Sequence, residues 1–107
     1  MDLLNTMLHR RSVRNYTEES VKEEDLKQIL QAGLLSPTGR NKKPWEFIVV
    51  QKKDVLEKMA ASRVAGAGML AGAAAAIVVL GDEEKTDVWT EDCSIAMSNM
   101  HLMAASL

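Results

Sequence analysis

Cysteine is nearly absent from the 107 residues: Cys93 stands alone, which excludes a disulfide framework within the chain and a cysteine-rich zinc site. So few thiols fit a reducing compartment, and a cytoplasmic location is expected. Excess charge is missing too. Thirteen Lys and Arg face fifteen Asp and Glu, a formal net charge of −2. No global field draws the chain to nucleic acid, and an anion site must come from local clustering. The opening MDLLNTMLHRR places its charges after the apolar residues and lacks a long apolar region, so it does not read as a secretory signal. Long hydrophobic runs are also scarce. The uncharged stretch from Val64 to Gly81 barely reaches spanning length and is mostly Ala and Gly. Only Val64, Leu70, Ile77, Val78, Val79 and Leu80 are strongly aliphatic, so no membrane span is expected there despite the GxxxG match of Gly68 and Gly72.

What remains is an ordinary globular composition, 47% hydrophobic and 26% charged in 11.8 kDa. This suits one small domain, or part of a larger one, with a modest core. Leu3, Leu4, Met7 and Leu8 recur at helical spacing behind Asp2 as N-cap, a short helix running into His9-Arg10-Arg11. Ser12 to Tyr16 reads as an extended connection. Ser20-Val21-Lys22-Glu23 fits a capping box, and Leu26, Ile29, Leu30 and Leu34 give one apolar stripe, predicting a second helix over residues 21–35. Gly33 on that helix leaves room for another backbone to approach. Ser36-Pro37 ends it.

Arg40 to Pro44 reads as a polar loop, and Phe47-Ile48-Val49-Val50 as a buried strand. Asp54 is the expected cap of a helix carrying Val55, Leu56 and Met59. The Ala/Gly-rich stretch to Ala75 reads as loop plus a close-packed helix, Ala76 to Leu80 as a second buried strand, and Gly81 to Asp87 as an acidic turn. From Trp89 the residues Cys93, Ala96, Met97, Met100, Ala104 and Leu107 follow one helical face. No glycine, asparagine or proline stops this helix before Leu107. Two strands and four helices are too few to cover both faces of a buried sheet, so the reading is the front part of an α+β domain.

Two clusters carry candidate chemistry. In His9-Arg10-Arg11-Ser12-Val13-Arg14, three guanidiniums and a hydroxyl lie together, planar donors suited to phosphate. Extended backbone would point Arg10, Ser12 and Arg14 to one side. The competing reading is a solvated charge cluster at a helix C-terminus, where cations are favoured. The second cluster, Ser36-Pro37-Thr38-Gly39-Arg40-Asn41-Lys42-Lys43-Pro44-Trp45, joins a helix to a buried strand. Gly39 permits an unusual backbone angle, and Asn41 both donates and accepts, which suits a flat heterocycle. The competing reading is a plain turn with Trp45 in the core. Gly66-Ala67-Gly68-Met69-Leu70-Ala71 matches GxGxxA, but a helix precedes it and a strand follows, the reverse of a dinucleotide fingerprint. Cys93 and His101 are about 12 Å apart along one helix and cannot share a metal; an inert core thiol is expected.

Taken together, Arg10-Arg11-Ser12-Val13-Arg14, the loop from Pro37 to Trp45 with its following strand, and Leu70-Ala71-Gly72-Ala73 before Ile77-Val78-Val79 resemble the flavin-dependent nitroreductase family. The segment from Trp89 to Leu107, with Glu91-Asp92, Ala96, Asn99 and Leu102, is similar to that family's long central dimer helix. Thr38 keeps a hydroxyl where serine is common, and Lys43 stands where glutamine is common.

The resemblance implies a nitroreductase-like α+β sheet flanked by helices, dimeric, with the chain ending inside the long central helix. Residues 1–107 would form the N-terminal portion of that domain, and by themselves are expected not to make an active reductase. It further implies a flavoprotein: FMN at a homodimer interface, NAD(P)H as co-substrate, and a nitroaromatic, quinone or similar small molecule as electron acceptor. Arg10, Arg11, Ser12 and Arg14 would hold the FMN phosphate, ribityl chain and pyrimidine edge. Pro37, Thr38, Gly39 and Asn41 would approach it from the other subunit. No catalytic acid or base, no metal, no nucleic acid and no membrane partner is implied. The alternative from another class is a non-enzymatic dimerising interaction module whose methionine-faced helix docks a partner.

Overall fold

The structure, a computed structural model, describes residues 2–63 and 65–107; Val64, counted above in the uncharged run, lies outside the described residues. Four α-helices and two strands follow in the expected order: α1 (Leu3–His9), α2 (Glu23–Leu34), β1 (Trp45–Val50), α3 (Lys53–Ala61), β2 (Ala76–Gly81) and α4 (Trp89–Ser106). The strands pair as a two-stranded sheet, and the Asp82 N–H donates to the Pro44 carbonyl (2.9 Å) where β2 ends beside the start of β1, an antiparallel arrangement.

Helix starts show where local reading holds and where it fails. Asp2 caps α1 as expected, its carboxylate accepting the Asn5 N–H at 2.8 Å. The capping box predicted at Ser20 does not form. Lys22 takes the cap position with no side-chain bond, and α2 starts at Glu23, with Glu23, Glu24 and Asp25 in its first turn. These acids serve the positive end of the helix dipole directly. Asp54 likewise lies inside the first turn of α3, and Lys52 takes the cap position. Both departures have one cause: a carboxylate in the first turn meets the same dipole without a capping bond.

By contact density the chain divides into two compact units. The first holds the chain through Arg11, Lys22–Phe47 and Val79–Leu107. Its core is Trp45, Cys93 and Ala96, with Phe47, Val79 and Trp89 packed around them. Trp45 stacks on Phe47 with ring centroids 5.2 Å apart. Helix α4 packs on α2 and on α1. A Cβ at Gly33 would come within 2.9 Å of Met100 Sδ and 3.0 Å of Phe47 Cζ, so the close approach predicted there is made by side chains rather than by backbone. A Cβ at Gly81 would strike the Trp89 ring, which fixes glycine at the end of β2.

The second unit holds Ser12–Val21 and Ile48–Val78. Leu56 of α3 is its fully buried anchor, with Ala67 also buried and Val55 and Met59 half-buried. Helix α3 packs on a short 3-10 turn, Gly68–Gly72, which replaces the close-packed helix expected in the Ala/Gly-rich stretch. The GxGxxA residues thus lie between a helix and a strand, as the rejection of a dinucleotide fingerprint required.

Burial departs from the periodic reading at several points. Ile48 is 48% exposed and Leu80 is 42% exposed, because a two-stranded sheet does not enclose both faces of either strand. Leu34, assigned to the α2 stripe, is exposed while Gly33 is buried. On α4, Cys93, Ala96 and Met100 are buried as the periodicity predicts, while Met97 and Ala104 are exposed and Asp92 is buried beside the predicted face. Among the described residues, no helix is long and apolar enough to cross a membrane.

Candidate cofactor site

Arg10 closes α1. Its N–H reaches the Thr6 carbonyl at 2.9 Å, while its own backbone is already extended (φ −57°, ψ 149°). The residues from Arg10 to Arg14 are exposed and free of regular structure. Arg11 donates to the carbonyls of Arg10 (2.9 Å) and Leu8 (3.4 Å), which satisfies part of its fork locally. His101 of α4 places Nε2 3.4 Å from the Arg11 carbonyl. Ser12 and Arg14 belong to the second unit, where Arg14 Nη1 donates to the Ser12 carbonyl at 3.3 Å. Among the described residues the one ion pair is Lys27–Glu23, so none of the three guanidiniums is neutralised by a carboxylate. Cations held without a protein counter-ion are the donor set that an anionic group such as a phosphate requires.

Pro37, Thr38, Gly39 and Asn41 come together in one loop of the first unit, between α2 and β1. A 3-10 turn, Gly39–Asn41, forms its middle. Three short bonds close it: Asn41 N–H to the Thr38 carbonyl (3.1 Å), Lys42 N–H to the Gly39 carbonyl (3.2 Å), and Lys43 N–H to Thr38 Oγ1 (3.1 Å). The unusual backbone angles predicted at Gly39 lie elsewhere. Arg40 (φ 54°), Asn41 (φ 56°) and Lys43 (φ 49°) are all left-handed. Gly39 is required for space instead, since a Cβ there would meet Val88 Cγ2 at 2.9 Å. Left-handed conformations in non-glycine residues persist only where their surroundings impose them. The Asn41 side chain is exposed and makes no hydrogen bond among the described residues, so its amide remains available to a ligand.

Two α4 side chains impose the loop's position. Asn99 Nδ2 donates to Ser36 Oγ at 3.0 Å, and Ser36 Oγ in turn donates to the Ala32 carbonyl. Two helical turns earlier, Asp92 Oδ1 accepts the Gly39 N–H at 3.1 Å. Sequence reasoning named both residues only as part of the helix and missed their contacts. A signal was present: Asp92 stands at the register of Trp89 and Ala96, so a charged residue falls on an otherwise inward face.

Cys93 is buried with Sγ 3.9 Å from the Leu80 carbonyl. Burial first, and then the neighbouring Asp92 charge, pushes its thiol above the ordinary value, away from a reactive thiolate. Among the described residues no cluster of three His, Cys, Asp or Glu side chains could hold a metal.

A sequence model of the nitroreductase family matches residues 7–67, more than half of the chain, and the chain belongs to that family. An Archaeoglobus fulgidus protein described provisionally as an NADH dehydrogenase/NAD(P)H nitroreductase is 39% identical over 110 aligned residues, covering 99% of this chain and 63% of its own length. An FMN-dependent nitroreductase of Clostridium difficile R20291 superposes with a TM-score of 0.94 at 41% identity, over 96% of this chain and 60% of that one. A Desulfovibrio desulfuricans protein, provisionally a nitroreductase and solved with FMN, gives a TM-score of 0.87 at 31% identity, over 99% of this chain and 63% of that one. The 107 residues thus span about three-fifths of the length of these relatives.

Proposed function

We propose that this chain binds FMN and belongs to an NAD(P)H-dependent oxidoreductase of the nitroreductase type, with nitroaromatics, quinones or similar small molecules as electron acceptors. The observation that carries the reading is the presence in one chain of three guanidiniums without carboxylate partners among the described residues and of a strained loop that leaves the Asn41 amide unspent. The donor chemistry of both groups fits FMN. Arg10, Arg11, Ser12 and Arg14 would bind the phosphate, ribityl chain and pyrimidine edge. Pro37, Thr38, Gly39 and Asn41 would lie against the flavin of the other subunit and orient its ring. Bound FMN would supply the hydride-transfer chemistry between NAD(P)H and the acceptor, with the protein contributing position and electrostatics. The FMN-bound relative and the FMN-dependent one support the cofactor.

The test is titration of FMN into the purified protein, followed by loss of flavin fluorescence. Submicromolar affinity is the expected result, and a colourless protein that ignores FMN would sink the reading in favour of an interaction module. Binding is the deciding readout because every residue named for the flavin lies within these 107 residues.

A homodimer is part of the same proposal. Ile95 and Met97 are exposed on opposite flanks of α4, and an open groove of about 360 Å³ lined by Leu3, Ala32, Leu35, Leu102 and Met103 lies in the same unit. A helix apolar around most of its circumference needs cover on several sides, and a second copy supplies it. Sedimentation at micromolar concentration is expected to give a dimer; a stable folded monomer would refute this.

A further inference from the structure

We propose that Asp92 is a positioning residue for FMN binding: its carboxylate fixes the Gly39–Lys43 loop from within the core without touching the flavin. The inference rests on the FMN reading above for its ligand, but its structural basis is separate. Asp92 is 3% exposed and is the one buried acid among the described residues. Its Oδ1 accepts the Gly39 N–H across 53 positions of sequence, and its Oδ2 has no partner among the described residues. A buried carboxylate so sparsely bonded is costly to maintain. The dipole at the α4 N-terminus offsets part of that cost, since Asp92 sits in the first turn.

What the carboxylate gains is control of the loop. Gly39 is the first residue of the 3-10 turn, and the left-handed residues Arg40 and Asn41 follow it directly, with Lys43 two further on. The bonds from Asn41, Lys42 and Lys43 run back only to Thr38 and Gly39, so they close the loop on itself, and its exit is held at Pro44 by the Asp82 N–H. Attachment to α4 comes from Asn99 through Ser36 at the loop's entry and from Asp92 at Gly39. Of these, Asp92 acts on the residue next to the strained segment. Without it, the Asn41 amide loses its fixed position. A donor-acceptor group displaced by an ångström loses most of its contribution to a flat, directional ligand.

Three proteins test this: wild type, Asp92→Asn, which keeps an oxygen acceptor at the same place, and Asp92→Leu, which fills a similar volume without one. FMN affinity is expected to stay within about threefold for Asp92→Asn and to fall about tenfold or more for Asp92→Leu. Amide hydrogen exchange in the flavin-free proteins is the second readout. The Gly39 N–H is expected to be protected in wild type and in Asp92→Asn, and to exchange about tenfold or more faster in Asp92→Leu while α1 amides are unchanged. Equal FMN affinity in Asp92→Leu and wild type would overturn the proposal, as would an unprotected Gly39 N–H in wild type. The wild-type measurement decides the point even if Asp92→Leu does not fold. A wild type that binds no FMN but protects Gly39 would strike the flavin reading and leave the loop attachment standing.

Discussion

Replacing both Arg10 and Arg14 by alanine is expected to weaken FMN binding by about 100-fold or more, with little change in stability. Both side chains are exposed, and neither is paired with a carboxylate among the described residues, so their removal breaks no ion pair within the fold. Each would give a phosphate or a pyrimidine oxygen a charge-assisted hydrogen bond worth about 1.5–3 kcal/mol. One such bond corresponds to about tenfold or more in affinity, and the two losses multiply if they act on separate oxygens. Lysine at both positions should recover part of the affinity only, since an ammonium restores charge but not the planar fork. Calorimetric titration at two salt concentrations separates the contributions, because the charge component of binding falls with ionic strength. Unchanged affinity in the double variant would remove the arginine segment from the site.

Leu56→Ala is expected to lower unfolding stability by about 2–5 kcal/mol, a large share of the roughly 5–15 kcal/mol that native domains have. Leu56 is 2% exposed and anchors α3, a helix of nine residues. A helix so short has little stability of its own, so its packing holds it. Lys53, Asp54, Glu57 and Lys58 face solvent and offer no second apolar anchor. Alanine would remove the methyl groups that fill the site and leave a cavity that the neighbouring turn can close only partly. Leu56→Met, which keeps the volume, should cost less than about 1.5 kcal/mol. Urea unfolding monitored by circular dichroism checks both, and equal midpoints for wild type and Leu56→Ala would show that α3 does not depend on this contact.

Element order and family were legible because they depend on short-range signals. The Asp2 cap, the stop at Pro37 and the start of the helix at Trp89 each follow from a few neighbouring residues. The arginine segment and the Pro37–Trp45 loop were legible as motifs for the same reason. Competition between equivalent local solutions was not legible. Ser20 and Asp54 are good capping residues, yet the helices begin beside them, because first-turn acids answer the same dipole. Nor was the location of backbone strain. Glycine marked position 39 as the unusual one, while the left-handed angles fall on Arg40, Asn41 and Lys43 and Gly39 serves packing against Val88.

The sequence by itself determined the succession of helices and strands, the absence of a disulfide framework, the clustering of guanidiniums before Arg14, and the polar loop ahead of β1. All of these are encoded within windows of a few residues, where steric preference and spacing suffice. Tertiary structure alone decided that Met97 and Ala104 turn outward on α4, that Asp92 is buried beside Cys93 and Ala96, and that its carboxylate reaches Gly39. The physical reason is range. A helix apolar on several sides satisfies its own periodicity in more than one rotation, and only packing against α1, α2 and the core around Trp45 selects one. That rotation buries a charge, and the buried charge in turn attaches a loop 53 residues away in the chain.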